Sequence, residues 1–60
     1  MTKDEVVDLM LNSINDDTRM MCVQFGMSPE ETDNKIAESQ NSLYFLLSNV
    51  YDKMKESNIL

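Results

Sequence analysis

Histidine is missing from the chain altogether, and cysteine, glycine and proline occur once each, as Cys22, Gly26 and Pro29. Each scarcity removes a class of chemistry. A lone cysteine forms no internal disulfide. Without histidine, neither a zinc site of the usual Cys/His kind nor a Ser-His-Asp or Cys-His catalytic arrangement is available. One glycine is too few for a phosphate-cradling loop. The longest uninterrupted apolar run, Leu43 to Leu47, falls far short of the ~20 residues that a membrane span needs. The opening Thr2-Lys3-Asp4-Glu5 carries no apolar leader, so a cytoplasmic location is expected, and a reduced Cys22 is compatible with it.

Basic residues are also scarce. Eleven acidic side chains against five basic ones give a formal net charge of −6, which argues against direct binding to nucleic acid or to an anionic membrane. What is present is enough for folding: 42% hydrophobic and 27% charged residues exceed the apolar content of a disordered chain. Sixty residues make a single domain that buries only ~60% of its unfolded surface. With disulfide and zinc excluded, such a small core is supplemented by unusually good helix packing or by oligomerisation.

The local signals are helical throughout. Thr2-Lys3-Asp4-Glu5 matches a capping box, in which the threonine hydroxyl takes the N3 amide and the glutamate reaches back to the cap. Helix one should run from about Lys3 to Ile14, with Val6, Val7, Met10, Leu11 and Ile14 on one stripe. Asn15-Asp16-Asp17 prefers caps and turns, so a break is expected there, followed by a short helix carrying Met20, Met21, Val23 and Phe25 and stopping at Gly26. A continuous helix through Asn15 is the competing reading. Helix three begins with Ser28 as cap, Pro29 at its first position and Glu31 completing a second capping box. Nothing obliges it to stop before about Glu56, and Ile36, Leu43, Leu46, Leu47, Val50 and Met54 form its apolar stripe. Glu31 is placed to pair with Lys35 one turn on. The expected fold is all-α: a helical hairpin in which two short N-terminal helices fold against one long C-terminal helix, hinged at Gly26-Met27-Ser28, as one domain over residues 1–60.

The long helix is apolar over more than one stripe. Tyr44, Phe45 and Tyr51 project away from the row of Leu43, Leu47, Val50 and Met54, and two short helices cannot cover both. Either the tyrosines lie half-exposed with their hydroxyls in water, or Phe45 and one tyrosine form a second contact face for another copy of the chain or for a target. Together with the small core, this makes self-association expected. Of the six methionines, Met1 is the initiator and Met10, Met21 and Met54 sit on core stripes, leaving Met20 and Met27 for an interface. Gln40 occupies the row of Ile36, Leu43 and Leu47. We read it as meeting solvent where the hairpin partner ends; the alternative is a buried glutamine that fixes register in a helix–helix seam.

Little chemistry is legible. Cys22 would need a neighbouring cation to act as a nucleophile, with Arg19 one turn away as the local candidate, and reads instead as a buried, inert side chain. Glu30, Glu31, Asp33 and Glu38 cluster in sequence but lack the alternating ligand pattern of a calcium loop. Asp4, Glu5, Asp16, Asp17, Glu30 and Glu31 fall in expected first helical turns, where carboxylates favour the positive end of the helix dipole. No catalytic residue, metal ligand or cofactor site is assigned.

One stretch has a resemblance. Ser39-Gln40, followed by Leu43, Leu46, Leu47 and Tyr51, resembles the Ser-Gln-x-Leu-Asp signature in the second helix of small sporulation-regulating aspartyl-phosphate phosphatases, which are helical hairpins of similar length. The leucine comes one place late, and Tyr44 follows Leu43 where that family has its acidic residue. The resemblance implies a hairpin and a phosphatase-like regulator, and carries activity to no residue here.

The expected function is a non-enzymatic interaction module, a small regulator or inhibitor of a larger protein, of the kind found among phage and mobile-element accessory proteins. Its expected contacts are Tyr44, Phe45 and Tyr51, with Gln40, Met20 and Met27 beside them. The alternatives are a homo-oligomeric subunit with an inter-chain pocket for a small ligand, an acidic partial mimic of nucleic acid, and the phosphatase-like regulator.

Overall fold

The computed structural model describes residues 1–59 and shows two helices, α1 (Lys3–Gln24) and α2 (Pro29–Glu56), packed against each other as an antiparallel hairpin, with no strand among the described residues. The hairpin measures 41 × 18 × 16 Å, its length that of one 28-residue helix rising ~1.5 Å per residue. Among the described residues no helix is long and apolar enough to cross a membrane.

Both helix starts follow the sequence signals. Thr2 caps α1 with a complete capping box: its Oγ1 accepts from the Glu5 amide at 3.2 Å, and its own amide donates to Glu5 Oε1 at 3.2 Å. Ser28 caps α2 by accepting from the Glu31 amide at 3.1 Å, with Pro29 at the first position. The reciprocal bond from Ser28 to the Glu31 carboxylate is not made, so this second cap is half a box. Nor do Glu31 and Lys35 form an ion pair; the two ion pairs among the described residues are Lys3–Asp52 and Arg19–Asp33.

The helix ends share one geometry. Gly26, at φ +77°, takes the left-handed conformation after α1. The Gly26 amide donates to Val23 O and the Met27 amide to Cys22 O, closing the last turn and occupying carbonyls that the helix leaves open. Asn58, at φ +58°, does the same after α2, with the Asn58 amide on Lys55 O and the Ile59 amide on Met54 O. Lys53 and Lys55 stand in that last turn, where the dipole favours cations.

The expected break at Asn15-Asp16-Asp17 does not occur, and α1 runs unbroken for 22 residues. These residues favour caps only when their side chains compete for nearby backbone groups. Here the Asn15 amide is taken up across the hairpin by Gln40, while Asp16 and Asp17 are exposed to water. The two aspartates are therefore mid-helix residues, and the first-turn acids are Asp4, Glu5, Glu30 and Glu31. Thr18, next along, returns its hydroxyl to Ile14 O at 2.8 Å without interrupting the helix.

The core is narrow. The buried residues are Val7, Leu11 and Cys22 of α1 and Thr32 and Ile36 of α2, and among the described residues Val7 alone is fully enclosed. The Thr32 hydroxyl is satisfied by Ser28 O at 2.9 Å. Leu43, Leu47 and Met54 are half-buried, whereas Leu46 and Val50, expected on the same stripe, are exposed, as is Met21. A helix with one neighbour buries one stripe, and residues a turn to either side of it stay in water.

Candidate functional site

The two edges of the helix–helix seam differ in chemistry. Along one edge, polar side chains from each helix are paired. Tyr44 donates its hydroxyl to Asp4 Oδ1 at 2.7 Å, Asn15 and Gln40 exchange amide hydrogen bonds, and Arg19 Nη1 meets Asp33 Oδ1 at 2.6 Å. The terminal end is closed by Lys3, which bonds Asp52 at 2.9 Å and lies 5.9 Å from the centre of the Tyr51 ring. The Asp4 hydrogen bond raises the Tyr44 hydroxyl above its ordinary pKa, helped by partial desolvation and by the negative charges of Asp4 and Asp8.

The other edge is apolar. Val6, Met10 and Ile14 follow one another at four-residue spacing on α1, half-buried, and Leu43, Leu46 and Val50 follow at spacings of three and four on α2. Shallow grooves run along it. Ile14, Thr18, Lys35, Glu38, Ser39 and Leu43 line one, and Leu46, Asn49, Val50, Asp52, Lys53 and Glu56 line the next.

A third apolar zone lies on the outer face of α1 and at the turn. Met20 is 65% exposed, Val23 72% and Phe25 79%, and Met20 and Val23 share a groove with Arg19 and Gln24.

The residues expected to form one interface are distributed over all of this. Tyr44 is tied to Asp4 and Tyr51 sits half-buried beside Lys3, so both serve the hairpin's own contacts. Phe45 stands alone, 66% exposed, four residues from Asn41 and Asn49 on the side of α2 turned away from α1. Gln40 does not meet solvent in the way expected: half-buried, it pairs with Asn15. Met20 is exposed and Met27 half-buried at the turn. Sequence reasoning missed Leu46, Val50, Val23 and Phe25 as surface residues. The available signal was arithmetic: two helices in one hairpin offer one seam, and the apolar residues spread over more of each helix than a seam covers.

Cys22 is buried and unpaired as a free thiol, and Arg19 is committed to Asp33. Among the described residues no group of three acidic or cysteine side chains is placed to hold a metal ion. The acids Glu30, Glu31, Asp33 and Glu38 are all exposed.

No family model, no curated protein and no solved structure matches the chain.

Proposed function

We propose that this chain is a small, non-enzymatic, cytoplasmic interaction module, a regulator or inhibitor that docks its turn end onto a larger protein. The observation that carries the reading is the exposure of Met20 and Val23, which share a groove on the outer face of α1, and of Phe25 at the turn that follows, the most exposed of the three. Large apolar side chains left in water at one end of a small chain mark contact sites where they gather into a patch. The three side chains divide the work. Phe25 supplies a rigid aromatic anchor at the tip, and Met20 supplies a flexible thioether that adapts to a partner's shape. A net charge of −6 favours a target whose apolar groove has a basic rim, since complementary potential speeds encounter and rejects acidic partners.

The test is recovery of the native target with point variants. The wild-type chain should retain one larger protein at a fixed stoichiometry. Phe25→Asp should lose it with an unchanged helical circular dichroism spectrum, and Phe45→Asp should keep it. Loss with Phe45→Asp and retention with Phe25→Asp would move the docking face to α2. Recovery of the chain alone would overturn the reading.

A further inference from the structure

Met20, Met21 and Cys22 are three consecutive sulfur-bearing residues of α1. Successive side chains on a helix point ~100° apart, so the three sulfurs have different surroundings. Met20 is 65% and Met21 56% exposed, whereas Cys22 is buried. Met10, Met27 and Met54 are half-buried, and Met1, also exposed, stands at the other end of the hairpin. Met20 differs from Met21 in lining a groove, with Val23, Arg19 and Gln24. That groove is almost wholly apolar, the charged end of Arg19 being held by Asp33. The two grooves along the seam carry more polar surface, with Lys35, Glu38 and Ser39 lining one and Asn49 and Asp52 the other.

We propose that Met20 is a site of reversible oxidation by hydrogen peroxide, which turns its groove from apolar to polar while the hairpin stays folded. A lone pair of the thioether sulfur attacks one peroxide oxygen. The S–O bond forms as the O–O bond breaks, and the proton of the transferred oxygen passes to the departing hydroxide, which leaves as water. Sulfur is oxidised by two electrons and the peroxide reduced by two. The product sulfoxide is polar, chiral and open to enzymatic reduction. Its oxygen needs a hydrogen-bond donor, and a surface that presents it loses affinity for apolar groups. No core contact is lost, because the Met20 side chain already stands in water. Sulfoxide at Met10 or Met54 would instead lie against the seam. Cys22, reactive as a thiolate, is kept from the oxidant by its burial. The effect on docking rests on the reading proposed above: an adaptable thioether becomes a polar group that a partner's apolar surface rejects, so oxidation releases the partner and reduction restores it.

The experiment treats the folded full chain with hydrogen peroxide and follows each methionine by peptide mass mapping. Met20 and Met21 should oxidise several-fold faster than Met10, Met27 and Met54, with the Cys22 thiol intact and the helical circular dichroism unchanged. In a Met21→Leu chain, retention on a hydrophobic-interaction column should fall as Met20 sulfoxide accumulates. Partly oxidised wild type is then offered to the native target. The retained fraction should be several-fold poorer in Met20 sulfoxide than the flow-through, with Met1 and Met21 sulfoxide shared evenly. Methionine sulfoxide reductase with a thiol reductant should return the flow-through to binding. Oxidation of Met20 no faster than that of the half-buried methionines, loss of helix, or unchanged column retention would overturn the site. Equal Met20 sulfoxide in the two fractions would overturn the switch and leave the docking reading standing. Failure of the unoxidised chain to retain any target would overturn docking and the switch together, and the site would then be decided by the mapping and the column.

Discussion

Asn15 of α1 and Gln40 of α2, 25 residues apart in sequence, face each other across the seam and exchange two hydrogen bonds. Gln40 Nε2 donates to Asn15 Oδ1 at 3.0 Å, and Asn15 Nδ2 donates to Gln40 Oε1 at 3.3 Å. Gln40 Nε2 also reaches Ile36 O at 3.2 Å. Two carboxamides match in this reciprocal way in one register only. A slide of one helix by a turn would leave both amides half-buried against apolar neighbours.

This pair should therefore act as a unit. Asn15→Ala and Gln40→Ala should each cost ~1–2 kcal/mol, since each leaves the other amide without its partner. The double variant should cost clearly less than the two single losses together, with a coupling of ~1 kcal/mol. Urea unfolding of the four proteins measures it, and strict additivity would mean that the two side chains do not depend on each other.

Much of the fold was legible because its signals are local. Thr2 and Glu5, Ser28 and Pro29, and Gly26 each act within a turn of themselves, and the structure uses all of them. The continuity of α1 was not legible for the opposite reason. What keeps Asn15 helical is a partner on the other helix, which no window around Asn15-Asp16-Asp17 contains. The apolar edge was misread in the same way: Leu46 and Val50 keep core spacing, and only the absence of a third helix beside them leaves them in water. The left-handed stop at Asn58 has no comparable local signal, since asparagine adopts that conformation less often than glycine.

Burial separates two apolar residues that stand two positions apart on α1. Val7 is fully enclosed and Leu9 is exposed. Val7→Ala should lose ~2 kcal/mol from the removed methyl groups and the space they leave. Leu9→Ala should change stability by less than ~0.5 kcal/mol. Equal losses at the two sites would mean that the outer face of α1 is covered in solution.

Gly26 isolates a backbone effect from a packing effect. A β-carbon built there would meet nothing within 4 Å, so a substitution is strained only through its φ of +77°. Gly26→Ala should cost ~1 kcal/mol, valine more, and asparagine less because it tolerates the left-handed region. Thermal unfolding ranks the three. A ranking by side-chain volume alone, with asparagine no better than valine, would point to crowding at the turn instead.

Tyr44 and Asp4 give the chain a dependence on alkaline pH. The neutral hydroxyl donates to the Asp4 carboxylate at 2.7 Å, and ionising it would destroy the donor and set two negative charges together. That hydrogen bond, with lesser contributions from desolvation and from the charges of Asp4 and Asp8, holds the folded-state pKa above the ordinary tyrosine value. A pKa raised by folding has a definite sign. The stabilisation is fully present below the unfolded-state pKa of about 10, declines as pH rises past it, and is lost once pH passes the raised folded value. Ultraviolet titration in a Tyr51→Phe background, where one phenol remains, should place Tyr44 above about 10, and Asp4→Ala should bring it down. The loss of stability between neutral and alkaline pH should shrink in the same Asp4→Ala variant. A Tyr44 titration that Asp4→Ala leaves unmoved would show that the hydroxyl turns to water in solution.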